Sequence, residues 1–327
     1  MKSPSSTASG IVLVDKPQGL TSHDVVARTR RLAGTRKVGH AGTLDPMATG
    51  LLVLGVNSST RLLTYVVGLD KEYLATVRLG AGTTTDDAEG ELLPAEGGSD
   101  TGAIGLESLT PEAIAAAFAT QQGTIVQVPS SVSAIKVNGQ RAYARVRAGE
   151  DVVLEGRTVT ISEVELLGEA TRTSVDGRDY VDVDVRVVCS SGTYIRAIAR
   201  DVGALLGVGG HLTALKRTRI GPFAVSDAPT LAELQTRAEA GEPLEMLDPA
   251  AVARQLFTVL DVDEAEAAAL GHGQRIELPA ATLENDPTGL LAAITPAGRL
   301  LGLVEARGTS GKSVVNFPPD EYQEATP

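Results

Sequence analysis

The chain has 327 residues, 43% of them hydrophobic and only 3% aromatic, with a formal net charge of −12. That length and apolar share suit a globular protein with one large domain and room for a small accessory one, and no apolar run approaches the roughly 18 residues of a membrane span. A single cysteine, Cys189, and four scattered histidines (His23, His40, His211, His272) exclude a disulfide framework and a clustered zinc site, so no metal is expected.

The first ten residues, MKSPSSTASG, lack the apolar segment of a secretory signal and read as a disordered leader on a cytoplasmic protein. Ile11–Asp15 is a short apolar strand ended by Lys16-Pro17-Gln18-Gly19. Thr21 and Ser22 can cap a helix that runs to about Leu32. Leu51–Val56 has the pattern of a buried strand, Ser58–Val67 looks helical, and Tyr73–Leu79 alternates as a strand before a polar loop, Gly80–Gly90. Glu91–Ser108 reads as a loose surface connection, and Thr110 caps an Ala-rich helix to about Thr120. Ile125–Val128 and Val159–Leu167 are further strands. Val181, Val183, Val185 and Val187 alternate with Asp182, Asp184 and Arg186, which predicts a half-buried antiparallel strand ended by a core Cys189. Thr193–Leu206 carries apolar residues at helical spacing, and a further helix is expected over Leu231–Ala240. From about Phe257 short β runs dominate, which sets off a small β-rich domain at about 256–320. Strands and helices mix without a regular βαβ repeat, so the fold class is α+β.

An acidic total argues against nucleic acid as a partner, but the charge is unevenly spread. Arg28, Arg30, Arg31, Arg36 and Lys37 form one basic group with no acid among them; Lys136, Arg141, Arg145 and Arg147 form a second; Lys216, Arg217 and Arg219 form a third. The acids concentrate at 86–100 and 233–286. An acidic chain with a basic face remains compatible with RNA, although each run alone also reads as a solvated surface.

The segment richest in chemistry is Gly39–Gly50, GHAGTLDPMATG, between a helix and an apolar strand. Three glycines and a proline fix its backbone, and His40 and Asp45 are its only ionisable side chains. A bare Asp-Pro would be a turn. The whole segment closely resembles the catalytic motif of the pseudouridine synthases that act on uridine-55 in the T-loop of tRNA, the bacterial TruB type. Asp15–Ser22 (DKPQGLTS) resembles that family's first motif, Lys71-Glu72-Tyr73 its tyrosine motif and Ser191–Arg196 (SGTYIR) its arginine motif. Leu215-Lys216-Arg217-Thr218 followed by Gly221-Pro222-Phe223 resembles the segment that closes its pocket. The matches run in the family's order over about residues 10 to 225. One departure is Thr84, which stands where the family usually has an aspartate; Asp87 keeps the second acid of that loop.

The resemblance implies a pseudouridine synthase fold: a mixed, largely antiparallel central sheet flanked by helices over 11–250, with a PUA-like β domain over 256–320. It implies an isomerase that flips the target uridine out of tRNA, at a cost of a few kcal/mol, with Asp45 as nucleophile toward C1′ or C6. Arg196 would hold Asp45 ionised and oriented, as a nearby guanidinium lowers a carboxylate pKa by about 1 to 3 units. Tyr73 would stack on the uracil, Tyr194 and Leu215 would line the pocket, His40 would fill the place of the displaced base, and Lys16 would hold phosphate. A hydrolytic glycosidase would need a second carboxylate about 5 to 9 Å away, and the motifs offer no evident one. The implied partner is the tRNA T-arm, met by a monomer without cofactor or guide RNA.

Overall fold

The computed structural model of the protein describes residues 8–94, 105–130, 136–137, 140–141, 155–280 and 289–318. Its strands are β1 (Gly10–Lys16), β2 (Val38–His40), β3 (Thr49–Val56), β4 (Lys71–Leu79), β5 (Gly123–Gln127), β6 (Lys136–Val137), β7 (Gln140–Arg141), β8 (Arg157–Leu166) and β9 (Thr171–Val175). They continue as β10 (Arg178–Cys189), β11 (Gly210–Ile220), β12 (Phe223–Ala224), β13 (Thr258–Asp261), β14 (Arg275–Glu277), β15 (Leu290–Ile294), β16 (Leu300–Arg307) and β17 (Ser310–Asn316). The helices are α1 (Ser22–Leu32), α2 (Leu63–Gly68), α3 (Pro111–Ala119), α4 (Ile195–Leu205), α5 (Leu231–Glu239), α6 (Pro249–Leu256) and α7 (Glu264–Gly271). The α+β class expected from the sequence holds. The chain forms two compact units, one of Met1–Pro46, Leu51–Val67 and Ala224–Pro327, the other of Met47–Gly50 and Gly68–Phe223.

In the first unit β1 and β2 flank β3. Helix α1 starts where the sequence placed it: the Thr21 hydroxyl accepts from Asp24 N (3.1 Å) and the Asp24 carboxylate accepts from Thr21 N (2.9 Å), a reciprocal cap. Its Val25 and Val26 then bury against Val12 and Val14 of β1, Leu52, Leu54 and Val56 of β3, and Leu231 and Leu234 of α5. Burying each such side chain contributes about 1.5–3 kcal/mol. The C-terminal β-rich domain lies in this unit. Its five strands run in the order β13-β15-β16-β17-β14, with β13 and β15 parallel and the rest antiparallel. They close over Leu260, Leu270, Ile276, Leu291 and Val304.

In the second unit the first two residues of β3 pair parallel with Lys216 and Arg217 of β11. From there β11, β4, β10, β8 and β5 follow as antiparallel neighbours, a mixed and largely antiparallel arrangement. The alternation in β10 does what the sequence predicts. Val181, Val183, Val185 and Val187 are buried, while the other face carries cross-strand ion pairs to β4. Arg78 forks onto Asp182 (2.8 and 2.7 Å), and Arg186 meets Glu72 at 2.8 Å. Cys189 ends the strand in the core, where burial pushes its thiol up to about 11. Helix α4 packs Ile195, Ile198, Ala199 and Val202 inward, against β11 and β4.

The structure departs from the sequence reading or adds to it in four places. Ala8, Ser9 and Gly10, read as part of a disordered leader, are buried; the Ser9 hydroxyl bonds Val56 O (2.9 Å) and the hydroxyls of Ser58 and Ser59. Ser58–Val67 is not one helix but a 3-10 turn, Asn57–Arg61, and then the short α2. The basic segment around Leu215–Thr218 is part of an eleven-residue strand, β11. Helix α7 interrupts the β runs after Phe257 because Asp263 and Glu266 cap an Ala-rich turn. The second basic group, apart from the backbone of Lys136 and Arg141, lies outside the described residues, as do residues 95–104 of the expected surface connection.

Candidate active site

Asp45 sits half-buried in the loop between β2 and β3, and both of its neighbours are tied down. Ser22, the first residue of α1 and itself buried, accepts from Leu44 N at 2.8 Å and donates its hydroxyl to Leu44 O at 3.1 Å. On the other side Gly19 N donates to Pro46 O at 2.8 Å. Ala41 N donates to Val53 O (2.9 Å), which extends the β2–β3 pairing into the loop. Leu44, just before Asp45, is buried. The carboxylate is therefore presented by a backbone fixed before any ligand arrives, the condition under which positioning accelerates chemistry.

Lys16 belongs to the same construction and corrects the sequence reading. It is 0% exposed, and its ammonium donates to Leu20 O (2.7 Å), Pro17 O (3.0 Å) and, at a longer 3.4 Å, Pro46 O. A buried ammonium must be met by acceptors, and its three donors suit three carbonyls. Lys16 is an internal tie between the DKPQGL turn and the Asp45 loop, not a phosphate contact. His40, the last residue of β2, stands edge-to-face with His23 of α1, ring centroids 5.5 Å apart.

Tyr73, Tyr194, Arg196 and Leu215 lie in the second unit. Tyr73 is on the buried face of β4, directly across from Arg217 of β11, with Leu215 two residues along on the same face. Arg217, counted from sequence with the basic surface, is 1% exposed and so is not available to solvent phosphate. Lys71, also on that face, donates to Leu69 O (2.7 Å); burial and the Arg217 guanidinium push its ammonium down to about 8.

Arg196, in the first turn of α4, is 4% exposed. Its Nη1 donates to Thr85 O at 2.9 Å and meets Asp87 Oδ2 at 3.3 Å. Asp87 is aimed by its other oxygen, which accepts from Thr85 Oγ1 (2.5 Å) and Glu89 N (3.0 Å). Tyr194 is the cap residue of α4 and its side chain makes no cap bond. The buried Gln127 side chain grips its backbone instead, accepting from Tyr194 N (3.0 Å) and donating to Tyr194 O (3.3 Å). Sequence reasoning noted Asp87 without giving it a partner and missed Gln127 altogether. Neither periodicity nor composition flags a glutamine at the end of a short strand. Among the described residues no group of three or more His, Cys, Asp or Glu side chains is placed to hold a metal, and no helix is long and apolar enough to cross a membrane.

Three known domains match this chain in tandem. The TruB family pseudouridylate synthase N-terminal domain covers residues 30–195, the tRNA pseudouridylate synthase B C-terminal domain 196–253, and the tRNA pseudouridine synthase II C-terminal domain 257–318. The chain belongs to the TruB family of pseudouridylate synthases. Among TruB-family relatives, the tRNA pseudouridine synthase B of Leifsonia xyli subsp. xyli is 57% identical over 314 residues, 96% of this chain and 98% of that one. The tRNA pseudouridine synthase B of Streptomyces avermitilis is 49% identical over 311 residues, 95% of this chain and 98% of its own. A chain in the crystal structure of a Cbf5–Nop10–Gar1 complex superposes with a TM-score of 0.65 at 24% identity, over 98% of this chain and 88% of that one. At that identity the likeness speaks for the fold alone. The TruB-family assignment places the Asp45 loop, the Tyr73 strand and the Arg196 turn within matched domains.

Proposed function

We propose that this TruB-family chain isomerises uridine-55 in the T-loop of tRNA to pseudouridine, with Asp45 as the nucleophilic carboxylate acting on a flipped-out nucleotide. The observation that carries this reading is the anchored loop that presents Asp45 between two pinned residues. The name shared by relatives of about half identity over nearly the whole chain supports tRNA as the substrate. Isomerisation breaks the N1–C1′ bond, turns the base, joins C5 to C1′, takes a proton from C5 and leaves one on N1, so that atoms and charge balance. Asp45 supplies the covalent partner toward C1′ or C6. Arg196, oriented by Asp87 and Thr85, is the guanidinium that the family resemblance assigns to Asp45. Tyr73 stacks on the extruded uracil, Leu215 and Tyr194 line its pocket, and His40 takes the vacated place in the RNA. Asp86 and Asp87, buried carboxylates of the second unit, are each committed to an arginine. The division read from sequence, a catalytic domain over 11–250 and a PUA-like domain over 256–320, goes with this proposal, as do a monomeric state and a cytoplasmic setting.

Phosphates meet the exposed part of the basic surface. A shallow depression at the end of α1 is lined by Arg30, Arg31, Gly34, Thr35 and Arg36, and its three arginines are exposed. Arg36 is four residues from His40, at most about 14 Å of extended chain. Such contacts fix register and affinity and carry little sequence information, so the T-loop is read mainly by shape. Affinity for tRNA is expected to fall steeply with salt, at about 0.7–0.9 in the log–log slope per phosphate contact. Arg31→Ala combined with Arg36→Ala should flatten that slope by roughly 1.5. A filter-binding titration between 50 and 300 mM salt decides it, and an unchanged slope removes this surface from the RNA interface.

The test of the whole reading is direct. The protein is incubated with an unmodified tRNA transcript, without cofactor or guide RNA, and pseudouridine is mapped by chemical probing. Product at the T-loop uridine is the expected result. Free uracil would mean hydrolysis, and unmodified RNA at saturating enzyme would mean binding without catalysis.

A further inference from the structure

Arg196 is not the only arginine of α4 that reaches the turn at 83–90. Arg200, four residues on and on the same helix face, donates from Nη1 to Asp86 Oδ2 (3.2 Å), from Nη2 to Val128 O (2.8 Å) and from Nε to Asp201 Oδ1 (2.9 Å). The same Asp86 oxygen accepts the Ser130 hydroxyl at 2.6 Å. Three separate pieces of chain thus converge on one carboxylate: the turn, the segment Gln127–Ser130, and the helix. Two consecutive acids meet two arginines a helical turn apart, Asp87 with Arg196 and Asp86 with Arg200. Asp86 holds φ +59, in the left-handed region that non-glycine residues rarely enter. Its backbone is fixed as well, Asp86 N donating to Thr83 O (3.2 Å) and Leu212 N donating to Asp86 O (3.0 Å).

The pair is badly placed to act as a stabilising salt bridge, since the Arg200 side chain is 31% exposed and exposed pairs contribute little. What it does fix is geometry. One residue before Val128 stands Gln127, which grips Tyr194; one residue on either side of Asp86 stand Thr85 and Asp87, which grip Arg196. Arg200 therefore ties together the two supports that orient Tyr194 and Arg196.

We infer that Asp86 and Arg200 are positioning residues for the isomerisation, setting the placement of Arg196 and Tyr194 and so the rate of the chemical step rather than the affinity for RNA. This rests on the pseudouridine synthase reading above. Arg200 also pairs with Asp201 at 2.9 Å.

The experiment compares the full-length protein with Asp86→Asn, Arg200→Gln, Arg200→Lys and the Asp86→Asn/Arg200→Gln double variant. It measures the single-turnover rate at saturating enzyme, the Kd for unmodified tRNA transcript, and the thermal midpoint. Asp86→Asn and Arg200→Gln are expected to slow the chemical step about 10- to 100-fold, as a small misplacement of a reacting group does. Kd should stay within about twofold and the midpoint within a few degrees. The double variant should be no slower than the worse single one, because both remove the same tie. Arg200→Lys keeps the charge but cannot fork to Asp86 and Val128 together, so it should recover only part of the rate. Unaltered rates in the variants, or a loss that follows Kd or the thermal midpoint, would overturn the inference while wild-type turnover leaves the functional reading standing. Absence of pseudouridine with the wild-type protein would overturn that reading and this inference with it.

Discussion

Asp45→Asn is expected to bind unmodified tRNA with a Kd within about threefold of wild type and to form pseudouridine at least about 10⁴-fold more slowly, since loss of a covalent nucleophile typically costs that much or more. The substitution changes one oxygen to nitrogen and removes one negative charge, at nearly constant volume. The loop is held through the residues on either side of Asp45. Leu44 is held by both of its backbone groups on Ser22, and Pro46 O by Gly19 N and the Lys16 ammonium. A folded, RNA-competent but inactive variant is therefore the outcome that separates chemistry from scaffolding. Retention of more than a few per cent of the wild-type single-turnover rate would sink the nucleophile assignment. Weak RNA binding by the variant would instead mean that Asp45 carries part of the affinity.

The second large effect lies five residues further on. Gly50 holds φ +100, and a Cβ built there would lie 2.2 Å from Arg217 O and 2.8 Å from Arg217 N. Those contacts are with backbone, in the short stretch where β3 runs parallel to β11, so no side-chain rotation relieves them. Gly50→Ala is expected to cost about 3 kcal/mol, combining a strained left-handed residue with local overpacking. A drop in thermal midpoint of roughly 5 to 10 °C should accompany it. Circular dichroism melts of the two proteins measure this, and a midpoint within 1 or 2 °C of wild type would show that β3 can move away from β11 at little cost. Gly19, also at positive φ but with open space around it, is the natural control, where only the backbone conformation is penalised.

Much of this architecture could be read from local pattern, and the exceptions have physical causes. The cap at Thr21, the valine alternation of β10 and the helix after SGTYIR follow from side chains acting within a few residues of one another. Strand β11 did not, because Lys216, Arg217 and Arg219 break its apolar pattern although Arg217 is buried. A long cationic side chain that finds acceptors inside the fold looks, in sequence, the same as one in water. Lys16 is the sharper case. Next to Pro17 it reads as a turn residue at the surface, and nothing local announces that three carbonyls, one of them thirty residues away, will enclose its ammonium. The site residues named from sequence came from ordered motifs, each short and contiguous. Their pairings with supporting residues did not, since Arg196 depends on Thr85 and Asp87, and Tyr194 on Gln127, across separations that only the fold closes. The shell that orients a site is the part that sequence reading loses first.

The burial of Cys189 has a practical consequence. The chain's one thiol is enclosed at the end of β10 and held protonated well above neutral pH, so the folded protein should resist maleimide and disulfide reagents at pH 7. A cysteine introduced at an exposed position such as Arg31 would then be the sole reactive group, and a fluorophore placed there would report RNA arrival with no need to remove a native thiol. Rapid labelling of the unmodified protein under native conditions would show that the β10 end opens, and would make the same thiol a reporter of that opening instead.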